Sequence, residues 1–218
     1  MIDAWFCVPI YKNYIIPTKD QDFKIEKFFY KYCQDFGHLL DGGTHNVTGD
    51  ITGLIKISEL DEFKWINSDL CLHVNNFLRQ IGVDVSKHMI HIQKSWPVVC
   101  DTNGSVSPHD HLNAHISAVY YVKCDSDNGG DIEFHCPPYH PILNLPVILE
   151  NNSTVRYTPE KNLLLIFPSS LEHRVTKYIG KDFRFSISYD IMITSKKDSG
   201  LDTESIVAHP SMWTVLGD

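Results

Sequence analysis

Three groups of residues in this chain have types and spacings that could do chemistry together. His109-Asp110-His111 follows a Gly/Ser/Pro-containing stretch and precedes an apolar run. In an extended backbone, residues i and i+2 point the same way, so His109 and His111 can converge on one ion while Asp110 turns aside. Taken alone, the triplet reads more simply as a solvated, histidine-rich loop. The second group is His173, in Pro168-Ser169-Ser170-Leu171-Glu172-His173-Arg174-Val175, directly after Leu163–Phe167. By itself it is an ordinary strand-end histidine. The third is Arg184-x-Ser186, a guanidinium and a hydroxyl one pleat apart on one face, a fork that suits a carboxylate. On its own it is an exposed ion pair.

Positioning such groups is the work of the surrounding elements. Residues 6–16, with Pro9, suit an edge strand or an extended lead-in. Ile25, Phe28, Phe29, Tyr32, Cys33 and Phe36 fall on one helical stripe, with Asp20 or Asp22 as cap and Gly37 as stop. Residues 42–53 read as loop. A second helix is expected from Ser58, whose Ser58-x-x-Asp61 resembles a capping box, through Leu60, Phe63, Ile66, Leu70, Val74, Phe77, Leu78 and Ile81 to Gly82. Strands follow: around Ile90 and Ile92, then 116–123, 131–135, 154–157, 163–167, 173–176 and 183–193, separated by Asn103-Gly104, Asp127-Asn128-Gly129-Gly130, Pro137-Pro138 and Pro168-Ser169-Ser170. Two helices before seven or eight short strands predict a mostly β, helix-supported sandwich or jelly roll. In the last strand Phe183, Phe185, Ile187, Tyr189, Ile191 and Ile193 alternate with Arg184, Ser186, Ser188 and Asp190. If that polar face looks into the roll, Arg184 is a buried cation that demands an anionic partner.

Length and charge narrow the classes. With 218 residues, one domain is expected over 1–218: a helical part at about 18–82, a jelly-roll core at about 88–193, and a tail at 194–218 docked by Met212, Trp213, Val215 and Leu216. Hydrophobic residues make up 43% and charged residues 21%, which rules out wholesale disorder. A net charge of -8 without a dense basic run disfavours nucleic acid and anionic membrane as partners. The longest apolar run, Leu163–Phe167, is far short of a membrane span. No secretion signal opens the chain, so a cytoplasmic location is expected, with the six scattered cysteines as reduced core residues. The N-terminal helices could cover the roll or form a homodimer face.

Taken in order, these blocks resemble the 2-oxoglutarate/Fe(II)-dependent dioxygenase superfamily, closest to the small 2OG-Fe(II) oxygenase family of bacteria and phages, of prolyl-hydroxylase-like type. The resemblance rests on Trp96, His109-Asp110-His111, Ile116–Val122, Leu165–Ser169 with His173, and Arg184–Ser188, and spans most of residues 5–193. It implies a double-stranded β-helix (jelly roll) holding Fe(II) by His109, His111 and His173. Arg184 and Ser186 would grip the distal carboxylate of 2-oxoglutarate. Tyr121 stands where relatives place a cosubstrate-contacting tyrosine, although core packing explains it equally well. There are departures. Position 111 is histidine where Asp or Glu is usual, leaving the site one negative charge short, and Asp110 could swing in while His111 hydrogen-bonds a ligand or substrate. Ala118 replaces a common Gly, and His135-Cys136 stand where relatives tend to show an acidic residue and Pro.

The implied reaction consumes O2 and 2-oxoglutarate, releases succinate and CO2, and hydroxylates an unactivated C–H bond of a small-molecule or peptidyl substrate; desaturation or ring closure fall within the superfamily's range. Two other readings compete. One is a cupin-like three-histidine metalloenzyme, a dioxygenase or isomerase, that does not use 2-oxoglutarate. The other is a non-catalytic β-sandwich binding module whose histidines line a polar pocket.

Overall fold

In the computed structural model, residues 7–37, 47–48, 55–137, 154–197 and 207–216 are described. They form two antiparallel sheets. One has the order β1-β7-β4-β9-β2 and the other β3-β8-β5-β6. The strands are β1 Tyr11–Tyr14, β2 His88–Cys100, β3 Val106–His109, β4 Ile116–Lys123, β5 Ile132–His135, β6 Thr154–Tyr157, β7 Leu163–Pro168, β8 His173–Val175 and β9 Arg184–Ser195. Eight strands after the helices, folded into two facing sheets, make the expected jelly roll.

The larger sheet is covered on both sides, which explains why β4 and β7 read as continuous apolar runs. Ile116, Ala118, Tyr120 and Val122 of β4, with Leu164 and Ile166 of β7, pack outward beneath the two helices. Val119 and Tyr121, with Leu163, Leu165 and Phe167, pack into the roll. In β9 the apolar set Phe185, Ile187, Tyr189 and Ile191 faces the helices, so Arg184, Ser186 and Asp190, each at most 3% exposed, are turned inward. Phe29 of the first helix stacks on Phe185 at 4.9 Å and 15°.

Helix α1 spans Lys19–Phe36, with Gly37 at its end as expected. Its cap is Thr18 rather than Asp20 or Asp22: the Thr18 hydroxyl accepts from the Gln21 N–H while the Gln21 side chain accepts from the Thr18 N–H. The two aspartates sit in the first turn, where they favour the helix dipole. Helix α2, Lys64–Gln80, starts later than the Ser58 box predicts. Ser58 is engaged with β2 instead, its N–H donating to Ser95 Oγ (3.0 Å) and its hydroxyl accepting from it (2.8 Å). Extended Leu60 then separates two single 3-10 turns. The Gly82 stop holds, at φ +89°, with the Val83 N–H donating to the Leu78 carbonyl.

Of the expected loop 42–53, only Val47 and Thr48 are described, and they bridge to Val99 and Cys100. Residues 198–206 and 217–218 of the expected tail lie outside the described residues. The docking expected of Met212, Trp213, Val215 and Leu216 is not found: they are 57–98% exposed. Trp213 N–H and Nε1–H donate to the Pro210 and Ala208 carbonyls within their own segment, and contact with the roll is made upstream instead, where the Ser195 N–H donates to the Val207 carbonyl (2.9 Å) and the His209 ring lies 6.4 Å from that of His91 in β2. Nor are all cysteines core residues, since Cys7 and Cys71 are exposed; all six are free thiols. No described helix is long and apolar enough to cross a membrane.

Candidate metal centre

Strand register explains how histidines distant in sequence meet. His109 ends β3 and lies directly opposite His173, the first residue of β8; their ring centroids are 4.4 Å apart. Beyond the strand, the His111 N–H donates to the Ser169 carbonyl (2.8 Å), which fixes the turn that brings its ring to 5.2 Å from His109 and 5.3 Å from His173. One ring nitrogen from each lies within 4.8 Å of the others. His173 is buried, and the other two stand toward the opening.

The hydrogen bonds also set which nitrogen is free. His109 Nδ1 faces the Ser107 carbonyl (2.9 Å), His173 Nδ1 faces the Leu171 carbonyl (2.9 Å), and His111 Nδ1 faces Asp190 Oδ1 (2.5 Å). Carbonyl and carboxylate oxygens only accept, so each Nδ1 carries a proton, and the nitrogen whose lone pair a metal would take is Nε2 in each ring. Burial, the dominant effect, pulls the His173 imidazole down to about 3, leaving it neutral at physiological pH. Three Nε2 donors fit a divalent first-row metal such as Fe(II). Asp110 takes no part in this group. It is exposed and lines a separate open cleft of about 710 Å³ with Glu172 and Arg174.

The three rings share a narrow cavity of about 110 Å³ with Tyr121, Arg184, Ser186 and Trp96. The inward cation anticipated from the β9 pattern is present: Arg184 is 3% exposed, and no described carboxylate pairs with it. Its Nε and the Tyr121 hydroxyl are buried without a hydrogen-bond partner. The guanidinium carbon lies 5.2 Å from the Tyr121 ring centre, a cation–π contact that orients it. Burial raises the Tyr121 phenol, so it remains a donor at neutral pH. Gly130, at φ +72°, makes room for this arm; a Cβ there would meet Arg184 Cδ at 3.2 Å. A buried cation and phenol with unused donors cost free energy until an anion arrives. Sequence reading gave Asp190 no role, although it lies on the same alternating face as Arg184 and Ser186; it also accepts from Ser117 Oγ (3.2 Å), which contacts Ser169 Oγ (2.9 Å).

Residues 94–190 match a protein-family model described as "Putative 2OG-Fe(II) oxygenase". No curated protein matches the chain in sequence. Among solved structures, AviO1 from Streptomyces viridochromogenes Tue57 is similar at 11% identity and a TM-score of 0.57, covering 85% of this chain and 90% of its own. A Pseudomonas putida prolyl-4-hydroxylase aligns at 11% identity and 0.54, over 85% and 89%. HygX from Streptomyces hygroscopicus, with nickel and 2-oxoglutarate bound, aligns at 8% identity and 0.54, over 85% and 83%. At these identities the likeness is one of fold, and that fold is the double-stranded β-helix.

Proposed function

We propose that this chain, whose residues 94–190 match a 2OG-Fe(II) oxygenase family model, is an Fe(II)- and 2-oxoglutarate-dependent oxygenase of the hydroxylase type. His109, His111 and His173 hold the iron through Nε2. Arg184 and Ser186 hold the distal carboxylate of 2-oxoglutarate, with the Tyr121 hydroxyl as a further donor. Bound there, iron with O2 and 2-oxoglutarate supplies the oxidising chemistry, in which the oxo acid becomes succinate and CO2 and a substrate C–H bond is hydroxylated.

The protein's own part is orientation and exclusion of water. The observation that carries the reading is one cavity with three imidazole nitrogens and, in the same space, the buried Arg184 Nε and Tyr121 hydroxyl without hydrogen-bond partners. A divalent metal would take up the three nitrogens, and a carboxylate of a bound diacid would satisfy the Arg184 and Tyr121 donors. A cupin-like three-histidine enzyme, or a binding module, leaves Arg184 and Tyr121 unexplained. The substrate is a small molecule or a peptidyl side chain, in keeping with the prolyl-4-hydroxylase among the structural neighbours. Free thiols at all six cysteines support a cytoplasmic location.

The test is anaerobic addition of Fe(II) and 2-oxoglutarate to the metal-free protein, followed by visible absorption. A metal-to-ligand charge-transfer band is expected in wild type and is lost in His173→Ala. No band in wild type removes the reading, and a band that survives His173→Ala removes that residue from the site.

A further inference from the structure

The three histidines are not equivalent. His109 and His173 donate to neutral backbone carbonyls, whereas His111 donates to a carboxylate, that of Asp190. Asp190 is 3% exposed, reached from β9 on the inward face, and steadied by the Ser117 hydroxyl, which itself contacts Ser169. Its position across from Ser117 in the β4–β9 ladder fixes it behind the His111 ring, at the nitrogen opposite the lone pair.

We infer that Asp190 is a positioning residue that supplies from behind His111 the negative charge that a three-histidine metal site lacks among its direct ligands. This rests on the metal-site reading above. A carboxylate that accepts the Nδ1–H locks the tautomer and ring orientation and raises the basicity of Nε2, so part of its charge is felt at the metal. The carbonyls behind His109 and His173 lock tautomers without that charge. The arrangement therefore makes His111 the most electron-rich of the three donors, at the very position where the sequence departs from an acidic ligand. It also gives the buried Asp190 a cationic counterpart once metal is bound to its imidazole, since burial of an unpaired carboxylate is costly.

The variant that isolates charge from shape is Asp190→Asn, whose side-chain oxygen can still accept from His111. The probe is Co(II), titrated into metal-free protein under argon, with affinity read by competition and geometry by the d–d absorption. Asp190→Asn is expected to bind Co(II) 10- to 100-fold more weakly than wild type, the range typical of lost outer-shell carboxylates, while metal-free thermal stability is retained. Asp190→Glu is expected to recover part of the affinity. Equal Co(II) affinity in wild type and Asp190→Asn overturns the inference and leaves the metal site standing. Absence of stoichiometric Co(II) binding by wild type overturns the metal site itself. Imidazole 15N–1H correlation spectra of Zn(II)-loaded wild type need no variant to fold: the His111 Nδ1 proton is expected furthest downfield of the three, and a His111 ring protonated at Nε2 instead overturns the inference.

Discussion

Replacing Arg184 with methionine should move stability and ligand affinity in opposite directions. In the ligand-free protein the guanidinium is 3% exposed and its Nε is unpaired. Methionine fills similar space without charge or donors, so removing an unsatisfied buried group should stabilise the empty protein by roughly 1–3 kcal/mol. At about 2–4 °C per kcal/mol for a domain of this size, its melting temperature should rise by roughly 2–12 °C. The bound state behaves otherwise. A guanidinium fork on a carboxylate contributes about two charge-assisted hydrogen bonds of roughly 1.5–3 kcal/mol each. Their loss weakens 2-oxoglutarate binding by roughly 10²- to 10⁴-fold. The assay is thermal unfolding with Ni(II), which supports binding without turnover, with and without 2-oxoglutarate at 100 times the wild-type Kd. Wild type gains about 2.7 kcal/mol, or roughly 5–10 °C; the variant gains no more than about 0.4 kcal/mol, near 1 °C. A variant that keeps more than half the wild-type shift would refute the clamp. Destabilisation of the empty variant by more than about 1 kcal/mol would refute the claim that Arg184 waits for an anion.

Two further outcomes follow from the scaffold. Gly129 sits at φ +72°, and a Cβ there would lie 2.4 Å from the Lys177 carbonyl oxygen. Gly129→Ala is therefore expected to cost roughly 1–3 kcal/mol in urea unfolding, and a loss under 1 kcal/mol would contradict the geometry. Glu133, 2% exposed between Arg156 (2.5 Å) and Arg174 (2.6 Å), is held below the usual carboxylate range by the Arg156 hydrogen bond first and Arg174 next. A carboxyl whose folded pKa is depressed stabilises above its unfolded value, about 4.5, and loses that contribution as pH falls through the folded value. Wild type should thus exceed Glu133→Gln by about 1–2 kcal/mol at pH 7, the arginines being half exposed, with the gap closing toward pH 3; a gap that widens in acid would reverse the sign.

How far the sequence could be read depended on whether a feature was local. The period-two pattern of 183–193 survives because both of its faces are buried, one beneath helices and one in the pocket. The stripe 25–36 survives because α1 rests on that sheet. Features decided by distant partners were read differently. Ser58 has the look of a cap, yet Ser95, far along the chain, claims its hydroxyl and amide. Strand β3 is short and holds Pro108, so no alternation betrays it, although its pairing sets His109 against His173. The residue types at 109, 111, 173 and 184 were visible, but their convergence required strand registers. Asp190 stood in plain view on a polar face; that it backs His111 depends on a contact spanning 79 positions.

Strand β9 acts as a ruler. From Arg184 to Asp190 it runs about 20 Å of backbone at roughly 3.3 Å per residue, with the anion fork at one end and the carboxylate behind His111 at the other. Extended chain neither stretches appreciably nor slips by one position without inverting every side chain. Insertion or deletion of a single residue between 184 and 190 would send one end of the pocket outward among the helix-facing aromatics. Length changes are thus tolerable in the loops around the mouth but not along this span, and diversification toward new substrates has to come from the rim while the gauge stays fixed.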